Sequence, residues 1–446
     1  MNQIYGTTDA GLLREMGRIR TVANQIAFWS WCAMLFCIPF STALGLLFTA
    51  TAVISGLVGY SFQSFKTAIW QPAIALCIAL FAWLTISMLW SVAPKAEMLE
   101  AWSKYRKLLY PALALMVLYN LRKSPRAMVF SFLAGTGLVA LVSLASAYGL
   151  LQVLLGPPEV AGGWYVGPGW LFIGGPDNPT FGRNHITQSA FLAFASMLAL
   201  GYAWRMAASG GRMASVLIWS SLATLLLQPI FLLQSRTGYL LVAALIVFWA
   251  YVVISHVPSR RWASVLLPGG AVFALMIATS PHILPRTSLM ANSIQQYVEK
   301  KAPIDSGVRL EFWTAGLEIF SNRPYGGVGV GGYAEAYSLL GVGPDWLRKS
   351  RPQPHSEIVL MAVQGGLVAL ILFVAIFIAC LWHVWKRKAF CPGSFGIILL
   401  FFLDAAVNSV IWDLAEGHLF LILVVAAILP INPLPPPSTK KRAPQV

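Results

Sequence analysis

The chain has 446 residues, of which 58% are apolar and 11% charged, with Lys+Arg 31 against Asp+Glu 16 and a formal net charge of +15. An ordinary soluble domain carries about 25% charged residues, and a nucleic-acid binder of this charge would gather its cations on a folded polar face. Both classes are excluded, because the apolar residues fall in blocks of about 17 to 25, each able to cross a roughly 30 Å hydrocarbon core as a helix.

The chain therefore reads as an all-α polytopic membrane protein. Residues 1–23 are too polar for a signal peptide and form a cytoplasmic N-terminus ahead of uncleaved insertion. Twelve transmembrane helices follow, near 24–40, 42–60, 67–91, 105–121, 127–154, 185–204, 213–233, 236–255, 262–280, 355–385, 394–412 and 416–432. The first two are divided at Pro39 and Ser41; the fourth starts among Lys104, Arg106 and Lys107. Helices 1–9 thus occupy 24–280, with an outer loop at 155–184. A large outer loop, 281–354, precedes helices 10–12 at 355–432. Residues 433–446 are proline-rich and read as a short disordered cytoplasmic tail. No internal repeat is evident, which argues against a transporter built from inverted halves.

Cations are retained on the cytoplasmic side during insertion. With both termini inside, seventeen of the 31 cations lie inside against only Asp9 and Glu15, so the inner segments carry the whole +15 and the outer half is balanced. The surplus charge is an orientation device, and the outer cations need separate reasons. The five cysteines sit in spans or at the inner edge and offer no outer disulfide framework.

The first outer loop, rich in Gly, Pro and aromatics, suits a cover over a surface or mouth. Arg183 closes it in Phe181-Gly182-Arg183-Asn184-His185, as a structural cation or a phosphate contact. Arg236 lies in the tight turn Gln234-Ser235-Arg236-Thr237-Gly238 and must sit at the membrane face, either snorkelling to headgroups or binding a lipid phosphate. The large loop contains a helix over 306–321, capped by Asp305 or Ser306, with Val308, Phe312, Ala315 and Ile319 along one face. Arg309 falls in its first turn, where a cation opposes the helix dipole; it serves another purpose there or partners Glu311 or Glu318. In Pro354-His355-Ser356-Glu357 the imidazole stands at the positive end of a long helix, which lowers its proton affinity and suits a general base; the alternative is a capping or interfacial histidine. The run Gly327-Val328-Gly329-Val330-Gly331 has no βαβ unit around it and offers at most a backbone nest for an anion. No outer histidines share a metal-ligand spacing. Asp404, the one acid well inside a span, must be paired or line a cavity. Asp413 and Glu416 face outward between the last two spans, where they orient His355, bind a sugar hydroxyl or form a solvated turn.

Three of these marks occur in a particular order between about Ser235 and Gly366. Ser235-Arg236-Thr237-Gly238 leads a span. Arg309 and Trp313 precede Asn322-Arg323-Pro324-Tyr325-Gly326-Gly327-Val328-Gly329, and Pro354-His355-Ser356-Glu357 precedes Gly365-Gly366-Leu367. With the many spans and the single large loop, this resembles the O-antigen ligase family, within the O-antigen polymerase/ligase core-domain superfamily. Many members have Asn where this chain has Ser356.

The resemblance implies a GT-C-like glycosyltransferase of the bacterial inner membrane, with cytoplasmic termini and a periplasmic active site. It would move O-antigen from undecaprenyl diphosphate to the lipid A-core oligosaccharide in lipopolysaccharide biosynthesis, using no metal, no other cofactor and no nucleic acid. His355 would be the base, with Arg236 and Arg309 holding the diphosphate; Arg183, Arg351, Asp413 and Glu416 would be further substrate contacts. A single base implies inversion at the sugar carbon. An O-antigen polymerase or protein O-oligosaccharyltransferase of the same superfamily would use nearly the same residues on another acceptor. A lipid transporter is the reading from a different class.

Overall fold

A computed structural model describes residues 4–155, 163–166, 171–175, 178–208, 232–233, 235–256, 278, 283–300, 303–304, 306–349, 353–387 and 392–430. Nearly all of the spans expected at 213–233 and 262–280, the C-terminal tail and Arg351 lie outside the described residues. The first helices are α1 (Ile4–Cys37), α2 (Thr42–Val58), α3 (Phe62–Ile69), α4 (Pro72–Ile86), α5 (Lys95–Lys104), α6 (Tyr110–Leu121), α7 (Arg126–Ala147) and α8 (Leu150–Leu155). An antiparallel hairpin of β1 (Gly163–Val166) and β2 (Leu171–Gly174) leads to α9 (His185–Ala208) and α10 (Arg236–His256). The expected outer loop holds α11 (Ile283–Lys300), α12 (Ser306–Asn322), α13 (Tyr333–Leu340) and α14 (Asp345–Lys349). The chain then continues into α15 (Glu357–Trp385), α16 (Pro392–Val407) and α17 (Leu414–Ile428).

Among the described residues five helices are long and apolar enough to cross a membrane: Pro72–Trp90, α7, His185–Arg205, α10 and α15. The α2–α3 pair, bent by 119°, makes up to six, and α16 and α17 are shorter apolar helices. The expected count of twelve is thus not reached among the described residues, although the protein is a helical membrane protein. The break at Pro39 is real. Ser41 is extended and its hydroxyl accepts the Leu44 N–H, and Asn24 of α1 donates to Gly59 O just past α2, so the two helices double back on each other.

Segments that charge assigns to one side meet one another. On the expected inner side, Asn120 joins Asn24 and Gly59, and Arg387 caps α17 through Ala426 O and Ala427 O. On the expected outer side, Arg183 reaches Ile38, Lys107 reaches Trp412 and Asp413, and Trp313 reaches Pro354. The main apolar core fills the helix bundle. A second cluster, with Phe312, Ala315, Ile319, Tyr333, Tyr337, Leu360 and Val363, forms a separate cap over one end.

The cap is fastened at a break in α15. Gly366 has φ 66 and ψ −161 inside this helix, a region open essentially to glycine alone. The break frees the carbonyls of Val363 and Gln364, which accept the N–H groups of Val328 and Gly329 at 2.8 and 3.0 Å, while Leu367 N donates to Pro324 O at 2.6 Å. Trp83 and Trp90 donate their indole N–H groups to Gly365 O and Gly326 O. The glycine run is therefore a docking strip, and two of the N–H groups an anion nest would use are spent on the helix. From Leu367 to Trp385, α15 still spans about 28 Å at 1.5 Å per residue, close to the roughly 30 Å of a hydrocarbon core. Its first turns, Glu357 to Gly365, thus belong to the cap.

A Cβ on Gly366 would lie 2.2 Å from Tyr325 O, which is backbone and cannot yield. Gly366→Ala should cost about 3 kcal/mol or more, seen as a lower thermal midpoint or loss of folded protein in detergent. Gly137→Ala, whose Cβ meets nothing within 4 Å, should keep the wild-type midpoint; equal midpoints in the two variants would contradict this account of the kink.

Candidate active site

The three residues singled out for chemistry converge on α12. Ser235 starts α10 by accepting the Gly238 N–H at 3.1 Å. Gly238 packs so closely on α9 that a Cβ would come within 2.5 Å of Ser189. Arg236 is thereby held at the helix tip, and its Nη1 donates to Ser306 Oγ, at the start of α12, at 2.6 Å. One turn on, Arg309 Nη1 donates to Val407 O at the end of α16 at 3.3 Å. A further turn on, Trp313 Nε1 donates to Pro354 O at 2.8 Å, next to His355. The expected apolar face turns inward, with Phe312, Ala315 and Ile319 buried, and the Phe312 ring lies 6.5 Å from the His355 ring. Glu311 instead accepts from Tyr297 of α11.

His355 is one of two non-glycine residues with positive φ among the described residues, at φ 48. Such a conformation persists where its surroundings over-determine it, and three contacts do so. Trp313 holds Pro354 O; Ser356 caps α15 by accepting the Val359 N–H at 3.3 Å; and Glu357 N donates to Asn408 O at 3.0 Å. Ser and Asn are both good N-caps, so Ser356 fills a capping position that Asn would fill equally well. Burial first and the Arg309 charge second hold the imidazole below the usual histidine range.

Beneath this lies a support not visible in the sequence. Glu357 is fully buried, and its Oε2 accepts the N–H groups of Ile411 and Trp412 at 2.8 and 3.1 Å. Lys107 is 2% exposed and donates to Asp413 O at 2.7 Å and Trp412 O at 3.3 Å. Asp404 accepts from Asn408 Nδ2 at 2.6 Å, so the lone intramembrane acid braces the residue that receives Glu357 N. A clue existed in Lys104, Arg106 and Lys107 crowding the start of an apolar block; nothing marked Glu357 or Asn408 as their counterparts.

The other expected contacts are placed differently. Arg183 sends both Nε and Nη2 to Ile38 O at 3.1 and 2.7 Å, clamping the C-terminal end of α1, where a cation complements the dipole. Burial lowers its pKa to about 10, opposed by Glu416. Asp413 precedes α17, and burial with the Glu416 charge raises its carboxyl above the usual range. Glu416 is itself buried. Among the described residues no three His, Cys, Asp or Glu side chains come together as a metal site.

Residues 221–374 match the family model described as O-antigen ligase. This segment belongs to the O-antigen ligase family. The match encloses Arg236, Arg309, His355 and the kink at Gly366, and leaves Arg183, Asp413 and Glu416 outside. Members of this O-antigen ligase family are glycosyltransferase-like enzymes. No curated protein matches the chain.

Proposed function

We propose that this protein is an O-antigen ligase: a metal-independent, inverting glycosyltransferase of the bacterial inner membrane that joins O-antigen from undecaprenyl diphosphate to the lipid A-core oligosaccharide at the periplasmic face. The observation that carries this is the gathering of two guanidinium groups and one base around a single loop helix, inside the O-antigen ligase segment. The His355 imidazole takes the proton of the acceptor hydroxyl. The acceptor oxygen attacks the anomeric carbon as the bond to the phosphate oxygen breaks, and the electron pair leaves on undecaprenyl diphosphate. Arg236 and Arg309 bind that growing negative charge through charge-assisted bonds, supplying fixed positive charge at the leaving group. One base without a nucleophilic carboxylate gives inversion.

Detergent-purified protein supplied with lipid-linked O-antigen should extend lipid A-core, with chelator present and no loss of rate. Product on a second lipid-linked unit alone would make it a polymerase, and product on a peptide an oligosaccharyltransferase. No product with any acceptor would sink the transferase reading.

A further inference from the structure

A cavity of about 430 Å³ opens beside α15, lined by Glu97, Glu100, Lys104, Gln353, Gln364 and Trp412. This is within the size class of small-molecule sites, about 300–1,000 Å³. We propose that it seats an uncharged, hydroxyl-rich sugar ring of the acceptor, next to the base. The inference rests on the transferase reading above and specifies where its second substrate lies.

Two wall amides point to such a ligand. Gln364 is fully buried; its Oε1 accepts from Tyr105 Oη at 3.3 Å, while its Nε2 has no partner. Gln353 Oε1 is likewise buried without a partner. Buried polar atoms in native proteins are nearly always satisfied, so a donor and an acceptor left open in one cavity suit a group that both accepts and donates. A sugar hydroxyl does both. Tyr333, which is buried, and Trp412, whose ring carries the Lys104 ammonium on one side, also line the cavity.

Charge selects against a phosphate. Among the described residues Lys104 is the one cation lining the cavity, and it is committed, with its ammonium 3.0 Å from Glu100 Oε1 and 4.1 Å from the Trp412 ring centroid. Glu97 and Glu100 leave the wall acidic, whereas the arginines suited to the diphosphate stand at α10 and α12. Proximity assigns the ring to the acceptor. Gln353 lies two residues before His355, and Leu360 and Gln364 line the cavity from the helix that His355 precedes, so the cavity wall and the base belong to one stretch of chain. The cavity joins the family segment to Glu97, Lys104 and Trp412 outside it.

The test uses the full-length protein with lipid-linked O-antigen as donor and two acceptors: intact lipid A-core, and the same core oligosaccharide released from lipid A and dephosphorylated. Gln364→Leu and Gln353→Leu should each raise the KM for both acceptors about tenfold, leaving donor KM and kcat within twofold. Acceptor KM values within twofold of wild type, a rise confined to donor KM, or a rise seen only with the lipid-bearing acceptor would each overturn the proposal. Should Gln364→Leu fail to fold, Gln353→Leu at the partly exposed rim decides alone. A wild-type protein that transfers nothing would overturn the transferase reading instead. The cavity would then be judged by tryptophan-fluorescence titration with the dephosphorylated oligosaccharide, where saturable binding weakened in Gln353→Leu supports the subsite and no binding overturns it.

Discussion

His355→Asn is expected to lower glycan transfer by about 10²- to 10⁴-fold, the contribution typical of a positioned general base, while leaving the protein folded. Asn is the informative replacement because it tolerates the left-handed backbone of this position better than most residues, so the φ of 48 is kept. His355→Ala should lose as much activity and some stability besides. The wild-type pH profile carries the same assignment. A base must be neutral to act, so turnover falls as pH drops through the imidazole pKa. Burial and Arg309 lower that pKa from its usual 6.5, so the acid limb of kcat/KM should have its midpoint below 6.5 and be absent from the residual activity of His355→Asn. Parent-rate transfer by His355→Asn, or an unchanged limb in it, would remove His355 from the reaction.

What the sequence made legible was what repeats or what carries charge. Apolar blocks announced a membrane protein, the loop helix showed in the spacing of Val308, Phe312, Ala315 and Ile319, Arg236 and Arg309 stood out because insertion bias did not explain them, and His355 stood out at the start of a long helix. The remainder depended on contacts between residues far apart in the chain. Gly366 is one glycine among 37, and only its φ/ψ and the approach of Tyr325 show that it breaks a helix. The glycine run offered at most a backbone nest for an anion, yet the N–H groups of Val328 and Gly329 serve carbonyls released by that break. Arg183 read equally well as a phosphate contact or a structural cation until its two bonds to Ile38 O appeared. Gln353 and Gln364 carry no charge and follow no motif, so their shared cavity has no trace in the sequence.

The two arginines should separate in one measurement. Arg236→Lys and Arg309→Lys both keep a positive charge and lose the planar fork that grips a phosphate bidentately. Each should therefore reduce donor kcat/KM by about 10²- to 10³-fold, the usual loss on removing one preorganised donor from developing charge. Wild-type donor kinetics in Arg236→Lys would return that residue to plain headgroup anchoring. The pH profile then distinguishes them. Arg309 lowers the His355 pKa by its charge, and Arg236 is not among the causes of that shift. Arg309→Gln should consequently move the acid limb of the residual activity upward, toward the ordinary histidine value, whereas Arg309→Lys and Arg236→Gln should leave it near the wild-type position. An upward shift of equal size in Arg236→Gln would mean that both guanidinium charges bear on the imidazole. An unmoved limb in Arg309→Gln would leave burial alone as the cause of the depressed pKa, and would confine Arg309 to the diphosphate.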